Sequence, residues 1–423
     1  MKRKDEMPIS PASSSSSSSQ ETLTLTSNAE TLIPGLPDDI SSIILSLVPF
    51  SHHDRLKPTS KSWKAFLSSK LPFHLSRWFF HPTNPHPTIL CIFPQDPSLV
   101  SPYLFDPRHG AWRSLPPAPC SPHSYGLSNF AAVCLGRHLY VLGGSLFDNR
   151  SYPNCPHPSA ATLRLDLTAS SLVWESLSPM RTPRGSFACA AIPSSNSILV
   201  AGGGSRHALF GAAGTRLSSV ERFDSGKDHW VLEENLPRFR AGCIGFLGGE
   251  KEFWVMGGYG NCRKISGVFP VDEHYRDGAV MDLESGKWRE IGNMWEEGER
   301  RRLGTVVVVD GVNGEAPGIF MLDRDEIFRY DAALNRWQKE SSLPKKTPPD
   351  SSCGFVALGG ELYVMFASPF FDFKEIRRPR LKRTALFIQA YNPKTRAWRH
   401  QMTKPPSQFP LDFKTAVMCT IRL

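Results

Sequence analysis

Beyond residue 88 the chain is a succession of short apolar runs separated by turn residues. Residues 89–93, 139–142, 198–201, 253–256, 319–322 and 362–366 are continuously apolar, as strands covered on both faces are. Weaker strand patterns precede five of these runs, at 130–135, 187–192, 243–247, 305–309 and 355–358. The one missing ahead of residue 89 stands at the far end of the chain, at 415–421. The 36 prolines and 32 glycines agree with many short elements joined by turns and exclude a long-helix bundle.

Six tryptophans punctuate the same region, Trp112, Trp174, Trp230, Trp288, Trp337 and Trp398, at intervals of 49 to 62 residues. Six positions before five of them stands Asp106, Asp224, Asp282, Asp331 or Asn392, while Asp166 precedes Trp174 by eight. Four positions after the Asp or Asn come Gly110, Asp228, Gly286 and Asn335, which tolerate positive φ, with Arg396 the exception. The spacing predicts a tight hairpin needing one left-handed residue, its backbone bonded by the Asp or Asn side chain. Gly143-Gly144, Gly202-Gly203 and Gly257-Gly258 directly follow three of the apolar runs, where a missing Cβ permits close backbone approach. The repeat unit is therefore four strands, present six times, and the first unit takes its innermost strand from the C-terminus. Radial stacking of such sheets leaves few open edges, and interlocked ends close the ring. A mainly β fold is predicted, with a six-bladed propeller over 89–423.

The first 88 residues read differently. Residues 1–31, all serine from 13 to 19, cannot bury enough surface to offset their ordering entropy and predict a disordered tail. Over 32–72 the apolar period becomes helical: Ile40, Ile43, Ile44 and Leu47 follow Leu36-Pro37-Asp38-Asp39. Asp38 is expected as N-cap and Pro49 as the stop. A second helix is expected after Pro58, with Trp63, Phe66 and Leu67 on one face as far as Pro72. So small a unit buries little surface alone, so it either caps the larger domain or completes its core on a partner. Residues 73–88 read as a linker.

Together these parts resemble the kelch repeat, whose period is about 50 residues. The matching residues are the three glycine doublets, Phe223-Asp224, Tyr330-Asp331, Tyr391-Asn392 and the six tryptophans. The segment from Leu36-Pro37-Asp38-Asp39-Ile40 through Trp63 resembles an F-box, with Ser62-Trp63-Lys64 near its end. The pairing is similar to the plant F-box/kelch-repeat proteins. What the resemblance implies is a non-catalytic substrate-recognition subunit of a Skp-cullin-F-box E3 ubiquitin ligase. The F-box would dock on a Skp-family adaptor, and through it on cullin and RING subunits, while the propeller binds a target protein for ubiquitination. Leu36, Pro37, Ile40, Ile44, Leu47 and Trp63 are the implied adaptor contacts, and an exposed apolar helical stripe suits an apolar groove. Holding a target beside a modifying subunit is an effective-concentration effect. A kelch scaffold with no ubiquitin link is the alternative, and adaptor co-purification separates the two.

In an antiparallel four-stranded blade, the loop between strands two and three emerges beside the connection to the next blade. That loop is long in four units, at 145–161, 204–218, 259–277 and 367–384, and excursions on a rigid ring carry specificity. Tyr152, Arg206, Tyr259, Arg263, Tyr275, Phe370, Arg377, Arg378 and Arg380 are the candidate target-binding residues, being aromatic and Arg anchors. The basic run from Lys374 to Arg383 points to an acidic or phosphorylated target. Arg184, Arg240 and Arg302 each stand just ahead of an inner strand, where a structural role is expected.

The net charge of +9 is moderate for 423 residues, and one basic loop without an aromatic strip is not a nucleic-acid face. No apolar run approaches the roughly 20 residues of a membrane-spanning helix. No apolar segment follows residues 1–6, so no secretory signal is expected, and an intracellular location in nucleus and/or cytoplasm is. Nine scattered cysteines suit a reducing compartment. The thirteen histidines are scattered too, and no nucleophile elbow or phosphate-cradling loop is visible. No metal, cofactor or catalysis is expected.

Overall fold

The computed structural model describes residues 31–48, 53–68, 88–94, 97, 100–107, 110–120, 124–148, 156–169, 171–205, 214–295, 303–311, 316–348, 351–369, 384–406 and 411–422. All but the last residue of the 1–31 tail and of the 73–88 interval lie outside them.

Six four-stranded antiparallel sheets account for the repeat. Blade 1 holds Thr88–Phe93, Tyr103–Asp106 and Ala111–Ser114, and its innermost strand is Val417–Arg422. Blades 2 to 6 are each continuous in sequence apart from insertions. They begin with inner strands Ala131–Leu135, Ala188–Ile192, Ile244–Leu247, Thr305–Val309 and Cys353–Leu358 and end with the outer strands that carry the tryptophans. The closing strand pairs along its length with blade 1, Ile421 opposite Ile89 and Val417 opposite Phe93. Each inner strand touches the next, and the sixth touches the first through Val417–Arg422. The ring is shut.

Period-two alternation explains why the second strands read as unbroken apolar runs. In blade 1, Ile89, Cys91 and Phe93 pack with Leu139, Val141 and Leu165 of blade 2. Leu90 and Ile92 point the other way, onto Met365 and Ile388 of blade 6. Both faces of the strand are core.

The tryptophans sit opposite Phe105, Leu165, Phe223, Met281, Tyr330 and Tyr391 across the third and fourth strands. Five of the indoles also reach the preceding blade. Trp174 donates to the Pro116 carbonyl (3.0 Å), Trp230 to Ser178 (2.9 Å) and Trp288 to Glu234 (2.8 Å). Trp398 donates to Ser341 Oγ (3.0 Å), and Trp112 to Thr403 Oγ1 of blade 6 (3.1 Å), which closes the outer rim as well. Trp337 instead stacks on Trp295.

The predicted turns form. Asp224 Oδ1 accepts from the Gly226 and Lys227 amides, Asp331 from Ala333 and Leu334, and Asn392 from Lys394 and Thr395. Gly110, Asp228, Gly286 and Asn335 have positive φ, and so does Arg396, at 55°. The sequence exception is therefore no geometric exception: the Asn392 turn forces an arginine into the left-handed region.

The helical module comprises α1 (Asp38–Ser46), α2 (His53–Leu56) and α3 (Lys61–Leu67). Two expectations are corrected. Pro37, not Asp38, occupies the N-cap of α1, because the Asp38 carboxylate turns back to accept from the Leu32 amide (3.0 Å). Pro58 does not open the second helix, because Ser60 caps α3 through a bond from the Trp63 amide (3.0 Å). Pro49 and Pro72 lie outside the described residues.

Candidate interaction surfaces

Leu45, Phe66 and Leu67 form a small core in the helical module, with Leu32, Ile33, Leu56 and Trp63 packed around it. Ahead of α1, Pro34-Gly35 make a type II turn: Gly35 has φ 85° and the Leu36 amide donates to Ile33 (3.1 Å). Leu32 is held at both backbone groups, its amide by Asp38 and its carbonyl by Trp63 Nε1 (2.5 Å). This framework aims the Leu36-Pro37 corner outward. Leu36, Ile40, Ile44 and Leu47 share one face at helical spacing, and each is 38% to 45% exposed. The exposed stripe anticipated from the sequence is present. Trp63 stands behind it, half-buried, as a brace.

On the toroid, the described ends of the loops at 145–161 and 204–218 meet the inter-blade connections on one face. The Arg184 and Met180 amides donate to Ser159 and Ala160, and the Arg240 and Leu236 amides to Leu217 and Ser218. The doublets permit this approach. A Cβ on Gly202 would stand 2.5 Å from the Arg240 carbonyl oxygen, and φ there is 67°. Arg184 and Arg240 are buried latches, as expected. Arg184 donates to the Gly202 and Ser219 carbonyls (2.8 Å each) and pairs with Glu221 (2.5 Å). Arg240 donates to the Gly257 carbonyl (3.0 Å) and faces Asp277 (3.2 Å).

Two of the supposed loops are sheets. Within 145–161, Ser145–Asp148 and Pro156–Pro158 pair with each other, and Ser145–Asp148 also pairs with Ser124–Ser128. Within 259–277, Tyr259–Ile265 and Phe269–His274 form a hairpin.

Three of the nine predicted target-binding residues are described. Arg263 is exposed on the hairpin. Tyr259 is only 4% exposed, its ring lying under the Arg216 guanidinium (4.5 Å), so it braces the hairpin base and offers no contact surface. Tyr275 is half-buried against Arg240 (5.1 Å), and burial pushes its phenol above the usual range. Tyr152, Arg206, Phe370, Arg377, Arg378 and Arg380 lie outside the described residues.

Sequence reasoning missed Arg216. Its Nη2 pairs with Asp272 (2.6 Å) and its Nη1 donates to the Ser205 and Thr215 carbonyls, tying the blade 3 loop to the blade 4 hairpin. An isolated arginine in a polar loop carries no signal of that kind.

Among the described residues no cluster of His, Cys, Asp and Glu is arranged to hold a metal ion, and no helix is long and apolar enough to cross a membrane. Burial pulls the His138 imidazole below its usual range, opposed by Asp166 nearby.

No family model matches the chain. It is 54% identical over 411 residues to the F-box/kelch-repeat protein OR23 of Arabidopsis thaliana, a match covering 93% of this chain and 92% of that protein. It is 27% identical to the F-box protein AFR of the same plant, over 64% of this chain and 65% of that one. Among solved structures it is similar to YjhT, with a TM-score of 0.44 and 14% identity over 66% of this chain and 84% of the other. On the extent of the first of these matches, the chain belongs to the F-box/kelch-repeat proteins.

Proposed function

We propose that the protein is the substrate-recognition subunit of a Skp-cullin-F-box ubiquitin ligase. The helical module docks on a Skp-family adaptor and the toroid holds a protein target for modification by another subunit. The observation that carries this reading is the row Leu36, Ile40, Ile44 and Leu47, left half-exposed on a module whose described residues include three buried apolar side chains. A unit that small gains by covering such a stripe with a partner's groove. In this reading the protein makes and breaks no covalent bond, and the target is an acidic or phosphorylated protein.

Co-expression with a Skp-family adaptor tests it. A stoichiometric complex is expected. The double variant Leu36→Ala, Pro37→Ala should weaken it at least tenfold, equivalent to about 1.4 kcal/mol, without changing the melting of the toroid. Absence of a complex, or unchanged affinity in the double variant, would overturn the assignment.

A further inference from the structure

Between the second and third strands of blade 4 the chain rises as the hairpin Tyr259–Ile265/Phe269–His274. Ser266 (φ 50°) and Gly267 (φ 75°) turn it, with the Val268 amide donating to Ile265 (3.2 Å), the left-handed pair of a type I′ turn. Its base is fixed. Tyr259 exchanges backbone bonds with Ala241 (2.8 and 2.9 Å), and Arg216 pins the second strand through Asp272.

Beyond the base no described residue covers it. Every residue from 261 to 269 is exposed, including Ile265 (48%), Val268 (64%) and Phe269 (61%) at the tip. Among the described residues no third strand pairs with the hairpin, and neither Arg263 nor Lys264 has an ion-pair partner. Asp272 is engaged by Arg216, so it does not neutralise them. Arg263 and Ile265 share a face with Val271 and Phe269 across the ladder, and Lys264 lies on the other. Pro270 removes a donor from the second strand, leaving residues 261–265 as the edge with an unbroken set of amides. Exposed edges invite pairing and charged side chains on them disfavour it, while opposite charges across a strand pair are favourable.

We propose that this edge takes an extended segment of the target by strand addition, the segment alternating apolar and acidic residues. Main-chain bonds to residues 261–265 supply the attachment; Lys264 meets the acidic positions on one face, and Ile265 and Phe269 meet the apolar positions on the other. The inference rests on the receptor reading and names the chemistry of its target.

The test uses the full chain bound to its adaptor and fluorescent pools of nonapeptides. One pool alternates Val, Ile or Phe with Asp or Glu; a second has Lys at the acidic positions; a third is the first with a central proline. Saturable, salt-sensitive binding of the first pool alone is expected, falling at least tenfold in Lys264→Glu and in Phe269→Ser. Both substitutions are at exposed positions, and unchanged melting temperatures would show that the fold is intact. No saturation by the acidic pool at about 1 mM, equal binding of the lysine or proline pools, or binding indifferent to Lys264→Glu would overturn the proposal. Because adaptor binding is read in the same preparation, an intact complex that ignores the acidic pool removes this inference and leaves the receptor reading standing.

Discussion

Glu221→Ala should be among the most damaging single substitutions in the toroid. Glu221 and Arg184 are both wholly buried, with Nη2 and Oε1 2.5 Å apart. Burial pulls the guanidinium below its usual range and the Glu221 charge opposes that. Glu221 also accepts from the Arg181 (2.7 Å) and Thr182 (3.0 Å) amides, so one carboxylate fixes the connection between blades 2 and 3. Removing it strands a buried cation, and losing one partner of such a pair costs about 3–5 kcal/mol. An unfolding entropy near 2.1 cal/mol/K per residue gives roughly 0.7 kcal/mol/K for a toroid of about 330 residues, so the melting temperature should fall by about 4–7 °C. The double variant Arg184→Met, Glu221→Leu removes both charges and should recover part of the loss. Scanning calorimetry with urea titration measures both. A fall of less than about 2 °C for Glu221→Ala, or a double variant less stable than the single, would refute the reasoning.

Arg396→Gly relieves a non-glycine residue held at φ 55° and should stabilise the toroid by about 0.5–1 kcal/mol, after allowing for the extra entropy of glycine in the unfolded chain. A urea midpoint that stays put or falls would show that the turn carries no such strain. Asp412 is held below the usual carboxylate range by the Lys414 amide and then by the Ser352 hydroxyl. Its folded value lies below its unfolded one, so its contribution is present above about pH 4 and is lost as the pH falls through the folded value. In Asp412→Asn the melting temperature should decline less steeply between about pH 5 and pH 2 than in the parent; parallel curves would dismiss the bond's contribution.

Much of the ring was legible because it is written six times. Trp112 through Trp398, the Asp or Asn before each and the displaced strand at the C-terminus are local signals that reinforce one another by repetition. What escaped was written once. The hairpin at 259–274 lacks the apolar alternation of a core strand because most of it faces solvent. Its turn depends on Ser266, a residue with no marked left-handed preference. Tyr259 looked like a surface anchor because aromatic character signals both contact and burial, and only the Arg216 side chain from another blade decides between them. The caps of α1 and α3 were misplaced for a similar reason. Asp38 had a competing donor in Leu32, and Ser60 outbid Pro58 for the start of α3. The inter-blade bonds of the tryptophans were invisible, since spacing along one chain does not reveal which neighbouring carbonyl an indole meets.

The pairing of Val417–Arg422 with Thr88–Phe93 sets an order of events during synthesis. The first blade emerges early but lacks its inner strand until the ribosome has made some 330 further residues, roughly 20–60 s at ordinary elongation speeds. Throughout that interval the Thr88–Phe93 edge is unprotected, a ready template for a wrong partner. A chain cut before Val417 would retain every tryptophan and every glycine doublet and still be unable to seal. The seal of the toroid thus rests on one strand, Val417–Arg422, whose partner Thr88–Phe93 lies more than three hundred residues earlier in the chain.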